Sequence, residues 1–332
     1  MAGSVSEETG TQHDTGRDER RQQEQGGGGE SKLTVTIAFF ANLAVALSKS
    51  IVALMTGSAA MMAEAAHSWA DTGNQVLLVV AGKKAQRPPD ESHPFGYGRE
   101  SYIWSMFAAM GLFVAGGVVS VLEGIDKLLA GGEEASYTWA YVVLGAAFVF
   151  ESVSFVQAFR QTRREAREYR REIVAHALKT SDPRLRAVFA EDSAALVGLV
   201  LAALGIFLHQ VTGNVVFDAL GSMLVGVVLL VVAVVLIQRN RVFLTGQETD
   251  RATRDEALGR MKGLPRVERV CYLRLEYVGP NQVFLIGSVD LTGDPQESEV
   301  APVLRELEAS LEEDPHVVEA VLTLAGKDEP SL

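Results

Sequence analysis

Six stretches of this chain are apolar for long enough to cross a bilayer, and that limits the folds open to it. They lie at about residues 33–54, 58–81, 101–129, 137–159, 187–208 and 215–237. About 20 residues of helix suffice to span the hydrocarbon, and most of these runs are too long and too apolar for ordinary core helices. Hydrophobic residues make up 48% of the 332 and charged ones 22%, segregated into runs and blocks where a single soluble globule would mix them. The pattern predicts a bundle of six transmembrane helices over residues 33–240, followed by a small soluble domain over 241–326.

Loop charges orient the bundle. Arg17, Arg20, Arg21 and Lys32 precede the first run, and Lys83, Lys84, Arg87 and Arg99 follow the second. The segment after the fourth is dense in Arg, and Arg239 and Arg241 follow the sixth, whereas loops 55–57, 130–136 and 209–214 hold no Lys or Arg. The positive-inside rule then predicts a multi-pass protein of the cell membrane with both termini cytoplasmic. Lys127 is the exception nearby, with Glu123 as an i,i+4 partner. Tyr102, Trp104, Tyr137 and Trp139 stand near run ends, as an interfacial belt does. Residues 160–186 are expected to extend the fourth helix into water before a turn near Pro183. Residues 1–32 are rich in Gln, Glu, Arg and Gly and predict a disordered tail. They lack the apolar centre of a signal peptide and are too acidic for a transit peptide.

The net charge of −12, with no basic domain, argues against nucleic acid. The single Cys271 excludes an intrachain disulfide and a Cys-rich zinc module, leaving a small buried apolar role. After Arg241 the pattern reads helix 253–262, strands 267–278 and 283–291 joined at Gly279-Pro280-Asn281, amphipathic helix 297–313 and strand 317–324. Residues 327–332 form a tail. This αββαβ domain is α+β and short of core, so covering a face with a second copy would stabilise it; a homodimer is expected.

One stretch breaks the apolar rule. Residues 57–75 carry Glu64, His67, Asp71 and Asn74 inside the second run. Ionisable groups are costly there by several kcal/mol, and they usually face a bundle interior with a partner. His67 and Asp71 share a helix face at i,i+4, the geometry of half a divalent-metal site or of a buried pair that pins helices. The fifth run opens with Glu191-Asp192. Asp192 could complete the site. Glu191, turned about 100° away on the helix, reads as a fourth ligand, a base, or a partner for Lys49. An ion pair that merely holds helices together is the plain alternative. No GxxxxGK[ST] loop and no HExxH run are present, which argues against ATP drive and a common metalloprotease.

His67-Ser68-x-x-Asp71 with Asn74, then His93-Pro94-Phe95-Gly96-Tyr97-Gly98-Arg99-Glu100, resembles the cation diffusion facilitator family. Weaker likenesses are Gly57-Ser58, Ser120-x-x-Glu123-Gly124, Asp218 with Ser222, and Leu244-x-Gly246; Asp218 and Glu123 read better as packing polars. The resemblance implies a dimeric six-helix exporter, not an enzyme, that exchanges cytoplasmic divalent metal for protons, with no tightly bound cofactor. It implies metal on His67, Asp71 and Asp192, with Glu191 beside them as in a divergent branch. Zn²⁺ is the first choice of cargo, with manganese, iron, cobalt and cadmium open. The family's His on the fifth helix is here Val188. Its second site maps to Asp90, His93 and Tyr97, where Tyr replaces a His and weakens it. Its soluble-domain site needs several His, and only His316 is present; the His-rich loop is reduced to His176. The competing class is a non-transporting scaffold with a degenerate site.

Overall fold

The computed structural model describes residues 39–130, 138–168, 171–293, 296–326 and 328–332. The expected tail over 1–32, the start of the first run and Tyr137 lie outside the described residues. The helices are α1 (Phe39–Thr56), α2 (Ala59–Ala85), α3 (Glu100–Leu129), α4 (Thr138–Glu168), α5 (Ile173–Lys179), α6 (Pro183–Thr212) and α7 (Val216–Leu244). Among the described residues five of these, α1, α3, α4, α6 and α7, are long and apolar enough to cross a membrane. Their outer faces expose Leu54, Leu129, Val149, Phe150 and Val231, an apolar surface that water does not cover cheaply. The chain is a multi-pass membrane protein.

The remaining long helix, α2, is interrupted by Glu64, Asp71, Lys83 and Lys84, and it packs against α3, α6 and α7. That placement explains how it carries charge. Glu64, His67, Asp71 and Asn74 are all buried. Its start is held by two caps. The Ser58 side chain accepts from the Met61 amide. Asp218 of α7 accepts from Ser58 Oγ at 2.7 Å and from the amides of Ala59 at 3.0 Å and Ala60 at 3.3 Å. A carboxylate facing otherwise orphaned first-turn amides is the favourable end of the helix dipole. Asp218 is thus a packing polar, as its sequence context suggested. Close helix contact comes from small residues: a Cβ on Gly226 would stand 2.6 Å from the Gly117 carbonyl of α3.

Several expectations are corrected. Pro183 begins a helix instead of marking a turn before one: it sits at the first position of α6, and Asp182 accepts from the Arg184 and Leu185 amides. Proline tolerates that position because its missing N–H would be unsatisfied anyway. The short α5 before it was not anticipated. Tyr102 is fully buried, stacks on Phe243 and donates to the Ser181 carbonyl at 2.9 Å, so it is no belt residue. Lys127 donates to the Gly57 carbonyl at 2.5 Å in place of pairing with Glu123. Residues Ala109–Phe113 of α3 form a π-helical turn, which the apolar pattern alone cannot reveal.

The C-terminal domain follows the expected αββαβ order: α8 (Arg251–Lys262), β1 (Val267–Gly279), β2 (Gln282–Leu291), α9 (Glu297–Glu312) and β3 (Val317–Leu324). The sheet order is β1-β2-β3, with β1 and β2 antiparallel and β2 and β3 parallel. Pro280 and Asn281 make the hairpin turn, Asn281 taking φ +55°, a conformation that Asn tolerates. Val303, Leu307 and Leu311 of α9 pack with Met261, Val270, Leu275, Leu285 and Val289 as its core. Cys271 is only partly buried, contrary to expectation, because it lies outside this core.

The hairpin seats the domain on the bundle. Asn281 accepts from Ser181 Oγ at 2.9 Å, Arg99 bonds Glu276 at 2.7 Å, and the Phe95 and Phe284 rings stand 4.9 Å apart. At the centre of this joint a Cβ on Gly98 would come within 2.7 Å of the Gly279 Cα. Gly98→Ala is therefore expected to destabilise the protein by about 1–3 kcal/mol through overpacking. A lowered melting temperature of the purified protein in detergent checks this; an unchanged one refutes the close packing.

Candidate functional site

Four helices, α1, α2, α4 and α6, line one cavity of about 740 Å³, and three of them bring carboxylates to it. Asp71 comes from α2, Glu191 and Asp192 from α6, and Glu151 and Ser154 from α4; Val188 is on the same wall. Each sits there for a local reason. Asp71 lies one turn after His67 on the buried face of α2, and its Oδ2 is 3.5 Å from His67 Nε2. Glu191 accepts a short hydrogen bond from Asn74 Nδ2, one turn further along. Asp192 accepts from Ser154 Oγ at 2.8 Å. Glu191 and Asp192 are each 7% exposed, and Asp71 5%.

The site is under-satisfied. Both ring nitrogens of His67 and Oδ1 of Asp71 are buried without a hydrogen-bond partner. Buried polar atoms without partners cost about 1–3 kcal/mol each, a cost that a bound cation would offset. The donor set, one imidazole and several carboxylates, is the chemistry that divalent cations take. The donors stand around an open volume: among the described residues no three His, Cys, Asp or Glu groups converge as a metal cluster. His67 is buried beside Asp71 and does not line the cavity.

Of the residues singled out from sequence, the structure thus brings Asp71, Glu191 and Asp192 together, with His67 adjoining. Glu191 is not the partner of Lys49. Lys49 pairs with Glu64 at 3.0 Å, both fully buried, while Glu191 is taken by Asn74. A cation about three helical turns into α1 needs a carboxylate on the adjoining face, and Glu64 of α2 is the one it bonds. Sequence reasoning missed Glu151, although it is the single charged residue of the run 137–159. The rule that singled out α2 would have found it.

Asp90 and His93 lie in the α2–α3 loop, well exposed and away from this cavity. Asp90 is committed to its turn: Oδ1 accepts from Ser92 N, Ser92 Oγ and His93 N, and Oδ2 from Tyr97 Oη at 2.7 Å. The Ser92 and Tyr97 hydroxyls hold its carboxyl well below the usual carboxylate range. With a depressed carboxyl, the bracing is present above the ordinary carboxylate range and is lost as pH falls through the lowered value. His93 stacks on Tyr97, ring centroids 4.0 Å apart.

A multi-pass helical bundle around a cavity lined by carboxylates, with an imidazole adjoining and a small αββαβ domain docked on it, defines the class of membrane protein. The chain belongs to the cation efflux family, the cation diffusion facilitators: residues 35–244 match the cation efflux transmembrane domain. It is similar to metal tolerance protein C4 of Arabidopsis thaliana, at 32% identity over 79% of this chain and 58% of that protein. It is similar also to the mitochondrial proton-coupled zinc antiporter SLC30A9 of Mus musculus, at 34% identity over 72% of this chain and 42% of that protein. A shorter likeness, 36% identical over 33% of this chain and 36% of the other, is to the magnetosome protein MamB of Magnetospirillum gryphiswaldense. The chain spans about half the length of the first two relatives.

The Lys49–Glu64 pair yields a test of the packing around the site. Removing one partner of a buried pair leaves an uncompensated charge and typically costs about 3–5 kcal/mol, whereas replacing both is close to neutral. Lys49→Met is expected to lower thermal stability in detergent strongly, and Lys49→Met with Glu64→Gln to recover more than half of the loss. A double variant no more stable than the single one refutes the pairing.

Proposed function

We propose that this protein exports divalent metal cations from the cytoplasm in exchange for protons, with zinc as the first cargo. The observation that carries the reading is the buried pair of His67, with neither ring nitrogen hydrogen-bonded, and Asp71, with Oδ1 unbonded, beside Glu191 and Asp192. Asp71 and Asp192, with His67 one turn away, take a partly dehydrated cation. Glu191, already held by Asn74, joins as fourth ligand or as the group that accepts the displaced proton. Rocking of α2 and α6 closes these donors on the ion and reopens them to the other side, the alternating-access scheme of secondary transporters. The open cavity supports this, since its donors need to approach one another before they can grip.

Proton exchange follows from the ligands. A metal-binding imidazole is neutral and a metal-binding carboxylate ionised, so loading a cation releases protons and protons compete it off. Imidazole with carboxylate suits zinc; the preponderance of carboxylates leaves manganese, iron, cobalt and cadmium as further cargo. The mouse relative is named for zinc and proton coupling, which supports the same choice. The protein acts as a transporter and not as an enzyme. We take α2 as the sixth span, sheltered from lipid by α3, α6 and α7. The charges of the loops support a cell-membrane protein with both termini cytoplasmic. The soluble domain and membrane helices support a homodimer. Asp90 and His93 are left with the bracing of their loop, and any metal there is weakly held because both Asp90 oxygens are already engaged.

Zinc flux into proteoliposomes under an imposed proton gradient tests the proposal. His67→Ala, Asp71→Ala and Asp192→Ala are each expected to lower flux at least about tenfold, the loss of about 1.4 kcal/mol or more of binding or transition-state energy. Apparent zinc affinity is expected to fall as pH falls, because the proton-competent ligands are occupied. Wild-type protein as inert as the three variants would establish the non-transporting scaffold instead.

A further inference from the structure

The cavity has a wall beyond the two helices that carry the proposed ligands. Glu151 of α4 lines it together with Asp71, Glu191 and Asp192. Among the described residues it makes no hydrogen bond that would hold it elsewhere. One turn along, Ser154 of the same helix donates to Asp192 at 2.8 Å, so this face of α4 is turned toward the site. Four carboxylates around one volume in a membrane interior repel one another when ionised, and an entering divalent cation turns that repulsion into attraction. An independent observation points to a ligand: Asp71, 5% exposed, keeps Oδ1 without a partner on the same cavity.

We propose that Glu151 is a cargo-contacting residue, an oxygen donor from a third helix that makes the site oxygen-rich and tunes which divalent ion it carries. The inference rests on the transport reading above. Zinc is content with four donors in a tetrahedron that includes imidazole. Manganese prefers an octahedron of oxygens. An extra carboxylate from α4 therefore matters more to manganese than to zinc. Val188 on the same wall offers no donor, so the charged groups that line the cavity are all carboxylates. A purely structural Glu151 would affect both ions alike.

The experiment compares Mn²⁺ and Zn²⁺ on the full-length protein, by calorimetric binding in detergent and by flux into proteoliposomes. Glu151→Gln keeps the shape and removes the charged donor. It is expected to weaken Mn²⁺ affinity about tenfold, or about 1.4 kcal/mol, and Zn²⁺ affinity by less than about threefold, under 0.7 kcal/mol on the same scale. Glu151→Asp, which keeps the charge and shortens the reach, is expected to show a smaller loss in the same order, and it carries the comparison if the Gln variant is not recovered folded. Equal losses for the two ions, or none, overturn the assignment. Wild-type protein that binds but carries neither ion overturns the transport reading and leaves Glu151 to be decided by the binding ratio. Wild-type protein that binds neither ion overturns both.

Discussion

The rest of this structure depends on how charge is kept away from lipid. Unpaired charges in hydrocarbon cost several kcal/mol each, and α2 carries Glu64, His67 and Asp71 within eight residues. The fold answers by surrounding α2 with α3, α6 and α7 and leaving the exposed apolar side chains to helices such as α3 and α4. Two kinds of compensation then appear on the same helix. Glu64 is neutralised inside the protein by Lys49. His67 and Asp71, less than two turns on, are left without such a partner. The charge of Glu64 is thus offset within the protein, whereas both ring nitrogens of His67 and Oδ1 of Asp71 are buried with no hydrogen bond.

Polar residues at the two ends of the bundle serve stability instead. Asp218 faces the first amides of α2. Arg186, 1% exposed, donates to Asn240 at 2.6 Å and to the Thr180 carbonyl at 2.8 Å, and its guanidinium lies over the Phe243 ring. Both groups are hydrogen-bonded at helix ends, where the chain turns and backbone groups need partners. Arg186 also sits close to the hairpin, since the Phe243 ring beneath it touches Tyr277. The end of α7, the loop before α3 and the β1–β2 turn thus form one packed joint, through which tilting of the helices would be felt by the soluble domain.

Much of this was legible in one dimension. The five strongly apolar helices and the αββαβ order follow from run length and periodicity, which are local properties. The polar positions on α2 and at Glu191-Asp192 stood out because charge inside an apolar run is costly wherever it occurs. Boundaries were less legible. Asp182-Pro183 looked like a turn and is a helix start, because proline stops a preceding helix and begins a following one equally well. Tyr102 looked interfacial by its position in a run, but its burial depends on Ser181 and Phe243, which are remote in sequence.

Sequence alone determined that the chain must bury charge inside a membrane, because hydropathy and charge are properties of single residues and their near neighbours. It did not decide who partners whom. That Lys49 chooses Glu64 over Glu191, that Asn74 takes Glu191, and that Glu151 joins the cavity follow from how α1, α2, α4 and α6 are rotated against one another. Helix rotation is set by packing over many contacts at once. The identity of a site residue's neighbour is therefore a tertiary fact, whereas its need for one can be read from its place in the chain.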